Sequence, residues 1–152
     1  IIKKNMNKNS LTIVILTSLM FITNIMFSQS NNWEEYYNDN QIKIEYNYVI
    51  CDFSSTASQE VVVLKFTNLF SGDVTITYDT KLWHNDKEID TEQKPEEFRK
   101  NIRLQANETI ITNCDNKMDY HAIFSAFIDN KTNEKYVTLT NFELTNITIK
   151  YE

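Results

Sequence analysis

Alternation of apolar and polar residues with a period of two is the feature that most limits what this chain can fold into. Between Ile42 and Ile50 every second residue is Ile or Tyr, and Lys43, Glu45 and Asn47 lie between them. Successive side chains of a strand point to opposite faces of a sheet. The pattern therefore predicts a half-buried strand whose Ile and Tyr side chains share one face.

Similar patterns predict further strands at residues 60–68, 74–83, 99–104, 109–114, 120–128 and 136–151. The turn signal Ser71-Gly72-Asp73 predicts that 60–68 and 74–83 pair as a hairpin. Residues 85–97 are charged and read as a long surface loop. The alternation changes phase near Thr145 and Asn146, which predicts a β-bulge or a bend there.

About seven strands with no convincing amphipathic helix predict an all-β fold. We expect a single immunoglobulin-like antiparallel β-sandwich of about seven strands after an N-terminal signal peptide. The chain has one glycine, Gly72, and one proline, Pro95. Turns must therefore be made by Asn and Asp, which tolerate left-handed backbone better than other residues with side chains.

The first 30 residues have the composition of a cleavable signal peptide whose true start is Met6. Lys8 precedes an apolar stretch at 11–23, and Ser28-Gln29-Ser30 supplies small residues before a cut. The alternative is an uncleaved membrane anchor, for which the apolar stretch is short. We therefore divide the chain into the leader (1–30), an N-terminal arm (31–40) and the sandwich domain (41–152), and expect the protein to be secreted or periplasmic.

Cys51 and Cys114 are the only cysteines. In an exported chain, two cysteines predict one disulfide bond. The alternative is a reactive thiol or a redox pair, but no C-x-x-C motif exists and neither cysteine has a histidine beside it in the sequence. We therefore expect a structural bridge.

The charge balance argues against nucleic acid as a partner. The net charge of the chain is −6, and loss of the three leader lysines leaves 12 basic and 21 acidic residues, a net charge of −9. An acidic domain repels phosphate backbones and anionic membrane surfaces. Contact with a membrane is expected only through an uncleaved leader.

Catalytic and cofactor motifs are missing from the sequence. A single glycine excludes most phosphate-binding loops and the G-x-S-x-G elbow, and there is no H-E-x-x-H motif. The two histidines, His84 and His121, are far apart in the sequence. We predict no catalytic residue and no cofactor.

Two clusters are candidates for ligand binding. Trp83, His84 and Asp86 combine an aromatic ring with polar groups, as sugar-binding sites do, although Trp83 is also compatible with a core or edge position. Asp52, Asp115 and Asp119 are candidate Ca²⁺ ligands, because a Cys51–Cys114 bridge would bring their loops together. The preferred explanation for these aspartates is that they form turns in a glycine-poor chain.

Several segments resemble a loose group of small secreted bacterial β-sandwich proteins of unassigned function. They are Phe27-Ser28-Gln29-Ser30, the first strand that ends at Cys51, the stretch 62–68 (VVLKFTN), the turn 104–110 (LQANETI) and the closing Phe142-Glu143-Leu144. The resemblance covers most of the mature chain. It implies an immunoglobulin-like sandwich outside the cytoplasm and no activity.

We therefore expect an exported binding or interaction module with an unknown protein or glycan ligand. One alternative is a structural or accessory subunit of a cell-envelope assembly that adds a strand to a partner sheet. The other is a small secreted hydrolase. Fold alone does not choose among these functions.

Overall fold

The computed structural model describes residues 33–52, 54–89, 95–114 and 121–152. The predicted signal peptide at 1–30 lies outside these residues. No helix within them is long and apolar enough to cross a membrane. The elements are β1 (Glu34–Asn38), β2 (Ile42–Asp52), β3 (Ala57–Asn68), β4 (Val74–His84), β5 (Lys87–Glu88), the four-residue helix α1 (Pro95–Phe98), β6 (Arg99–Leu104), β7 (Thr109–Ile111), β8 (Ile123–Asp129), β9 (Lys135–Tyr136) and β10 (Leu139–Tyr151).

The strands form two antiparallel sheets, so the predicted all-β class is confirmed. The first sheet has the order β1-β2-β3-β8-β9, and the short β7 pairs with the other half of β3. The second sheet has the order β10-β4-β5, and β6 also pairs with β4. Strand β10 thus has β4 as its one strand neighbour in the described part of the chain.

The core lies between the two sheets and draws on both. Phe66 of the first sheet stacks on Tyr78 of the second with ring centroids 5.7 Å apart, and Tyr46 meets Phe142 edge to face at 5.2 Å. Removing this apolar surface from water is the main stabilising contribution to a sandwich. The buried core residues are Ile42, Ile44, Val62, Leu64, Phe66, Val74, Ile76, Tyr78, Ile102, Leu104, Ile123, Leu139, Phe142 and Leu144.

A second, smaller apolar cluster is formed in the first sheet by residues that alternate with those of the main core. Cys51, Val61 and Val63 are buried there, and Trp33 and Val49 pack against them. The Lys65 ammonium lies 4.7 Å from the centre of the Trp33 ring. This cluster explains why two adjacent strands carry apolar residues in both phases.

The predicted hairpin between 60–68 and 74–83 is wrong, because these strands lie in different sheets. Strand β3 pairs with β2 along its length, and β4 pairs with β10. Residues 69–73 therefore carry the chain from one sheet to the other. Gly72 is needed there for close approach, since an added Cβ would lie 2.9 Å from the carbonyl oxygen of Glu152.

Three further expectations change. The predicted surface loop at 85–97 contains the short strand β5, which pairs with the end of β4. The arm at 31–40 contains strand β1, which pairs with β2. Tyr48 and Ile50 do not share the burial of Ile42 and Ile44, because 45% and 63% of their surfaces remain exposed.

Two expectations about the backbone are confirmed. The register of β10 against β4 shifts between Thr145 and Thr148, which is the predicted bulge. Of the seven described residues with side chains and positive φ, six are Asn or Asp: Asn40, Asn85, Asp86, Asn107, Asn133 and Asn146. The seventh is Val137, with φ of 52°.

Candidate functional site

The predicted cluster of Trp83, His84 and Asp86 lies at the hairpin between β4 and β5. Asn85 and Asp86 form the turn with φ values of 50° and 62°, as two-residue hairpins require. The N–H of Asn85 donates to the carbonyl of Thr138 at 2.9 Å, and the N–H of Asp86 donates to the Thr140 hydroxyl at 3.1 Å. The turn is therefore attached to the start of β10.

The structure does not bring these three side chains together as a sugar site. Trp83 is partly buried, Asp86 is exposed, and no hydrogen bond or ring contact joins them within the described residues. Trp33, the other tryptophan, is partly covered by Lys65. Both tryptophans are therefore partly covered, which is less favourable for stacking on a sugar than a fully exposed ring.

His84 instead belongs to a group of residues that we call the aromatic patch: His84, Phe124, Phe127 and Tyr136. The His84 ring stacks on Phe124 with centroids 5.6 Å apart, and Phe124 lies 4.7 Å from Phe127. Phe127 and Tyr136 are directly opposite each other on β8 and β9. Phe127, Tyr136 and Val137 are each about half exposed, and such exposed apolar groups often mark contact sites.

Sequence reasoning missed the aromatic patch apart from His84. Phe124 and Phe127 lie in a strand that was predicted to be covered on both faces. The Nε2 atom of His84 is buried and has no hydrogen-bond partner among the described residues. No local signal in the sequence links residue 84 to residues that lie 40 positions later.

The predicted disulfide between Cys51 and Cys114 is confirmed, with Cα atoms 5.6 Å apart. The predicted metal cluster is not assembled by the residues that can be described. Asp115 and Asp119 lie outside them, and Asp52 accepts a hydrogen bond from the Ser58 hydroxyl at 2.7 Å. No group of three or more His, Cys, Asp or Glu residues with the spacing of a metal site occurs in the described ranges.

One histidine meets a hydroxyl group, as a hydrolase would require. The Nδ1 atom of His121 lies 2.9 Å from the Tyr78 hydroxyl. Tyr78 is only 1% exposed and forms part of the core. A phenol buried in this way cannot reach a substrate, so the pair has the character of a structural hydrogen bond.

The free edge of β10 is the other candidate surface. The N–H of Leu144 donates to the Tyr36 hydroxyl at 2.6 Å, and that hydroxyl donates to the Leu144 carbonyl at 3.3 Å. Burial is the main cause that raises the pKa of Tyr36, so the phenol stays protonated at neutral pH. Both backbone groups of Leu144 therefore point away from β4.

The alternation of backbone direction along β10 identifies the other residues whose N–H and C=O groups point to the free edge. Leu144 is opposite Thr80, and Ile149 is opposite Ile76. Backbone N–H and C=O groups of successive residues in β4 point to alternate sides, so those of Thr80 and Ile76, four positions apart, both point to β6. The backbone groups of their partners, Leu144 and Ile149, therefore both point to the free edge of β10. Leu144 and Ile149 are five positions apart and would point to opposite sides in a regular strand. The bulge between Thr145 and Thr148 adds one residue, so their backbone groups point to the same side.

Few charges protect this edge. Strand β10 has 13 residues, of which only Glu143 and Lys150 are charged. Natural edge strands are usually short, carry charged side chains or proline, or are covered by another element, because their unpaired backbone groups can pair with strands of other chains. The Tyr36 hydroxyl occupies the outward backbone groups of Leu144. The remaining part of the β10 edge is long and carries few charged side chains.

Comparisons of the chain with protein-family models, with curated proteins and with solved structures found no match.

Proposed function

We propose that this protein is an exported interaction module that binds a protein partner through the free edge of β10. The observation that supports it is the length and low charge of an edge strand on which the backbone groups of alternate residues, such as Leu144, point away from β4. Main-chain hydrogen bonds to such an edge supply affinity, and the neighbouring side chains supply specificity. This role corresponds to an accessory subunit of a cell-envelope assembly.

The strand order supports the same proposal. With β2-β3-β8 taken as the A, B and E strands of an immunoglobulin-like sandwich, β4 and β10 correspond to C and F. In that fold, strand F lies between C and G. Among the described residues, β10 is the outer strand on this side of the second sheet, so a partner strand bound there would take the place of strand G.

The disulfide supports the exported location. Disulfides persist in oxidising compartments and are rare in the cytosol, and the Cys51–Cys114 bridge is compatible with a secreted or periplasmic protein. The leader composition and the acidic charge of the remaining chain agree with this location.

A glycan-binding role has less support. Trp83 and Trp33 are both partly buried, whereas a sugar platform needs an accessible ring face. Thermal denaturation of the mature protein with glycans, Ca²⁺ and a chelator tests this role, because a ligand that binds only the folded state raises the melting temperature. We expect no shift in this panel.

Photo-crosslinking in the exporting cell tests the edge directly. A benzoyl-phenylalanine at Thr148, which is exposed on β10, should yield a discrete protein adduct. The matched control is the same residue at Thr77, which lies opposite Thr148 on the central strand β4. Adducts from both positions in equal yield, or from neither, would contradict the proposal.

A substitution pair separates edge binding from general loss of fold. Thr148→Lys adds a charge to the edge and should abolish the adduct formed from a probe at Asn141, also on β10. Thr77→Lys adds the same charge to the central strand and should leave that adduct unchanged. Circular dichroism on both variants confirms that the sheets are intact.

A further inference from the structure

The free edge of β10 carries its two charges at positions that match each other across a two-fold axis. We propose that the strand that pairs with β10 is β10 of a second copy of this chain, in an antiparallel, symmetric dimer. This inference rests on the proposed function, since it names the partner of the same edge. A two-fold interface uses the same surface on both copies, so every contact occurs twice.

The backbone fits this pairing at one register in particular. With the axis between Asn146 and Ile147, Leu144 is placed opposite Ile149 of the second copy. Both residues direct their N–H and C=O groups to the free edge, because their partners on β4 are four positions apart and direct theirs to β6. Leu144 of one copy and Ile149 of the other therefore form a hydrogen-bonded pair, and the two-fold axis generates a second such pair. Asn146, with its left-handed backbone, lies beside the axis between the two pairs.

The charges fit the same register. Glu143 is placed opposite Lys150 of the second copy, and by symmetry Lys150 is placed opposite Glu143. Both side chains are exposed on the outer face of their sheet. Directly opposite residues of unlike charge stabilise an antiparallel pair, and like charges there destabilise it.

The apolar side chains fit it as well. Leu144 and Phe142 belong to the core cluster, and Ile149 packs against that cluster. The register places Leu144 opposite Ile149 and Phe142 opposite Tyr151, a residue that is 40% exposed. Apolar residues thus meet on the inner face and opposite charges meet on the outer face.

Tyr36 competes with the second copy for Leu144. Its hydroxyl holds both backbone groups of Leu144 in the single chain, and these are the groups that Ile149 of the second copy requires. The dimer forms when the intermolecular strand displaces this one hydroxyl. Tyr36 therefore lowers the affinity of the dimer while it protects the edge of the monomer.

Charge reversal tests the register without knowledge of any other partner. We measure the dissociation constant of the mature protein by sedimentation equilibrium over a dilution series. Glu143→Lys and Lys150→Glu should each weaken the dimer by at least about tenfold, because each variant places two like-charged pairs at the interface. An equimolar mixture of the two variants should recover a heterodimer, because both interface lysines of the first variant then face the two interface glutamates of the second.

Two further variants complete the test. The double variant Glu143→Lys/Lys150→Glu should dimerise like the unmodified protein, and Lys131→Glu, a charge change in the turn between β8 and β9, should have no effect. Tyr36→Phe removes the competing hydroxyl and should tighten the dimer several-fold. A dimer that ignores charge reversal, or that Tyr36→Phe leaves unchanged or weakens, would overturn the register.

The outcomes also separate this inference from the proposed function. A protein that stays monomeric up to about 1 mM has a dissociation constant weaker than that concentration, and this result overturns the dimer. If Thr148 still crosslinks to a different protein in cells, the edge-binding function stands and only its occupant changes. If neither the dimer nor the crosslink is found, both proposals fail.

Discussion

Asn68 joins two of the three places at which the described chain passes between the sheets. It is fully buried, and its Nδ2 group donates to the carbonyls of Gly72 and Gln105, both at 2.8 Å. Its Oδ1 atom accepts the N–H of Phe70 at 2.9 Å. Only a side-chain amide offers two donors and an acceptor at this size, so this position requires Asn or a close equivalent.

Replacement of Asn68 by Ala should destabilise the protein strongly. The change leaves two carbonyls and one N–H without partners, and buried unsatisfied groups cost about 1–3 kcal/mol each. We expect the free energy of unfolding, measured with urea, to fall by about 2–3 kcal/mol after partial relaxation. Asn101→Ala, at an exposed position on β6, is the control and should change it by less than about 0.5 kcal/mol.

Asp79 makes the fold sensitive to acid. Hydrogen bonding to Arg99 is the main cause that lowers the pKa of Asp79; burial opposes it, and a hydrogen bond from Asn146 assists. The Arg99 Nε atom lies 2.9 Å from the carboxylate, and the Asn146 amide also lies 2.9 Å from it. The last contact holds the bulged part of β10 against β4.

The pH dependence of stability follows from the direction of this shift. A carboxyl group whose pKa is lower in the folded state stabilises the fold above its unfolded pKa, and this contribution disappears as the pH falls below it. Urea denaturation should therefore show stability falling below pH 3.8, the ordinary pKa of Asp. Asp79→Asn and Arg99→Gln should both reduce this dependence, and an unchanged pH profile in either variant would contradict the assignment.

At the scale of strands, the sequence located most elements but not their partners. Alternation predicted β2, β3, β4 and β6 closely, because each has a face that packs into the main core. It could not show that residues 69–73 connect two sheets, because a polar turn with glycine suits a hairpin and a crossing equally well. Close approach of Gly72 to the chain end depends on residues 80 positions away.

The same limit applies to the candidate surfaces. Trp83, His84 and Asp86 are close in sequence, but only His84 contacts the aromatic patch. Trp83 precedes His84 on β4, and successive residues of a strand face opposite ways. Asp86 lies in the exposed turn that follows. Exposure of the β10 edge is a property of the sheet order, which period-two patterns do not encode. The bulge in β10 was predictable because it changes the phase of the pattern locally.

Val137 is a position where the connection between β9 and β10 stores strain. Its φ is 52°, a conformation that is unfavourable for a β-branched residue by about 1–2 kcal/mol. Asn adopts it with much less strain. Val137→Asn should therefore raise the free energy of unfolding by about 0.5–1 kcal/mol, while Thr138→Asn, at the next position, should not raise it.

At the scale of the whole molecule, the disulfide ties the end of β2 to the segment after β7. The two cysteines are separated by 63 positions, and β3 to β7 lie between them. In the chain-entropy model, a loop of this length contributes about 4 kcal/mol. Against a total of about 5–15 kcal/mol for a domain, the bridge is a large part of the stability.

Reduction of the bridge should therefore lower stability substantially. We expect the Cys51→Ala/Cys114→Ala variant to lose about 2–4 kcal/mol in urea denaturation. The unmodified protein should lose a similar amount in reductant, and the variant should not respond to reductant. Alkylation of the native protein before any reduction would contradict the bridge.

The three crossings between the sheets, at 69–73, between β6 and β7 and between β9 and β10, also determine how fast the chain can fold. Strand β4 finds its partner β10 only after more than 50 intervening residues have been made, and β2 with β3 is the one long hairpin of neighbouring strands in the described ranges. Folds dominated by such distant pairings reach the native state in milliseconds to seconds, not microseconds. A chain of this topology can close its core only after its last strand, β10, has been synthesised and has paired with β4.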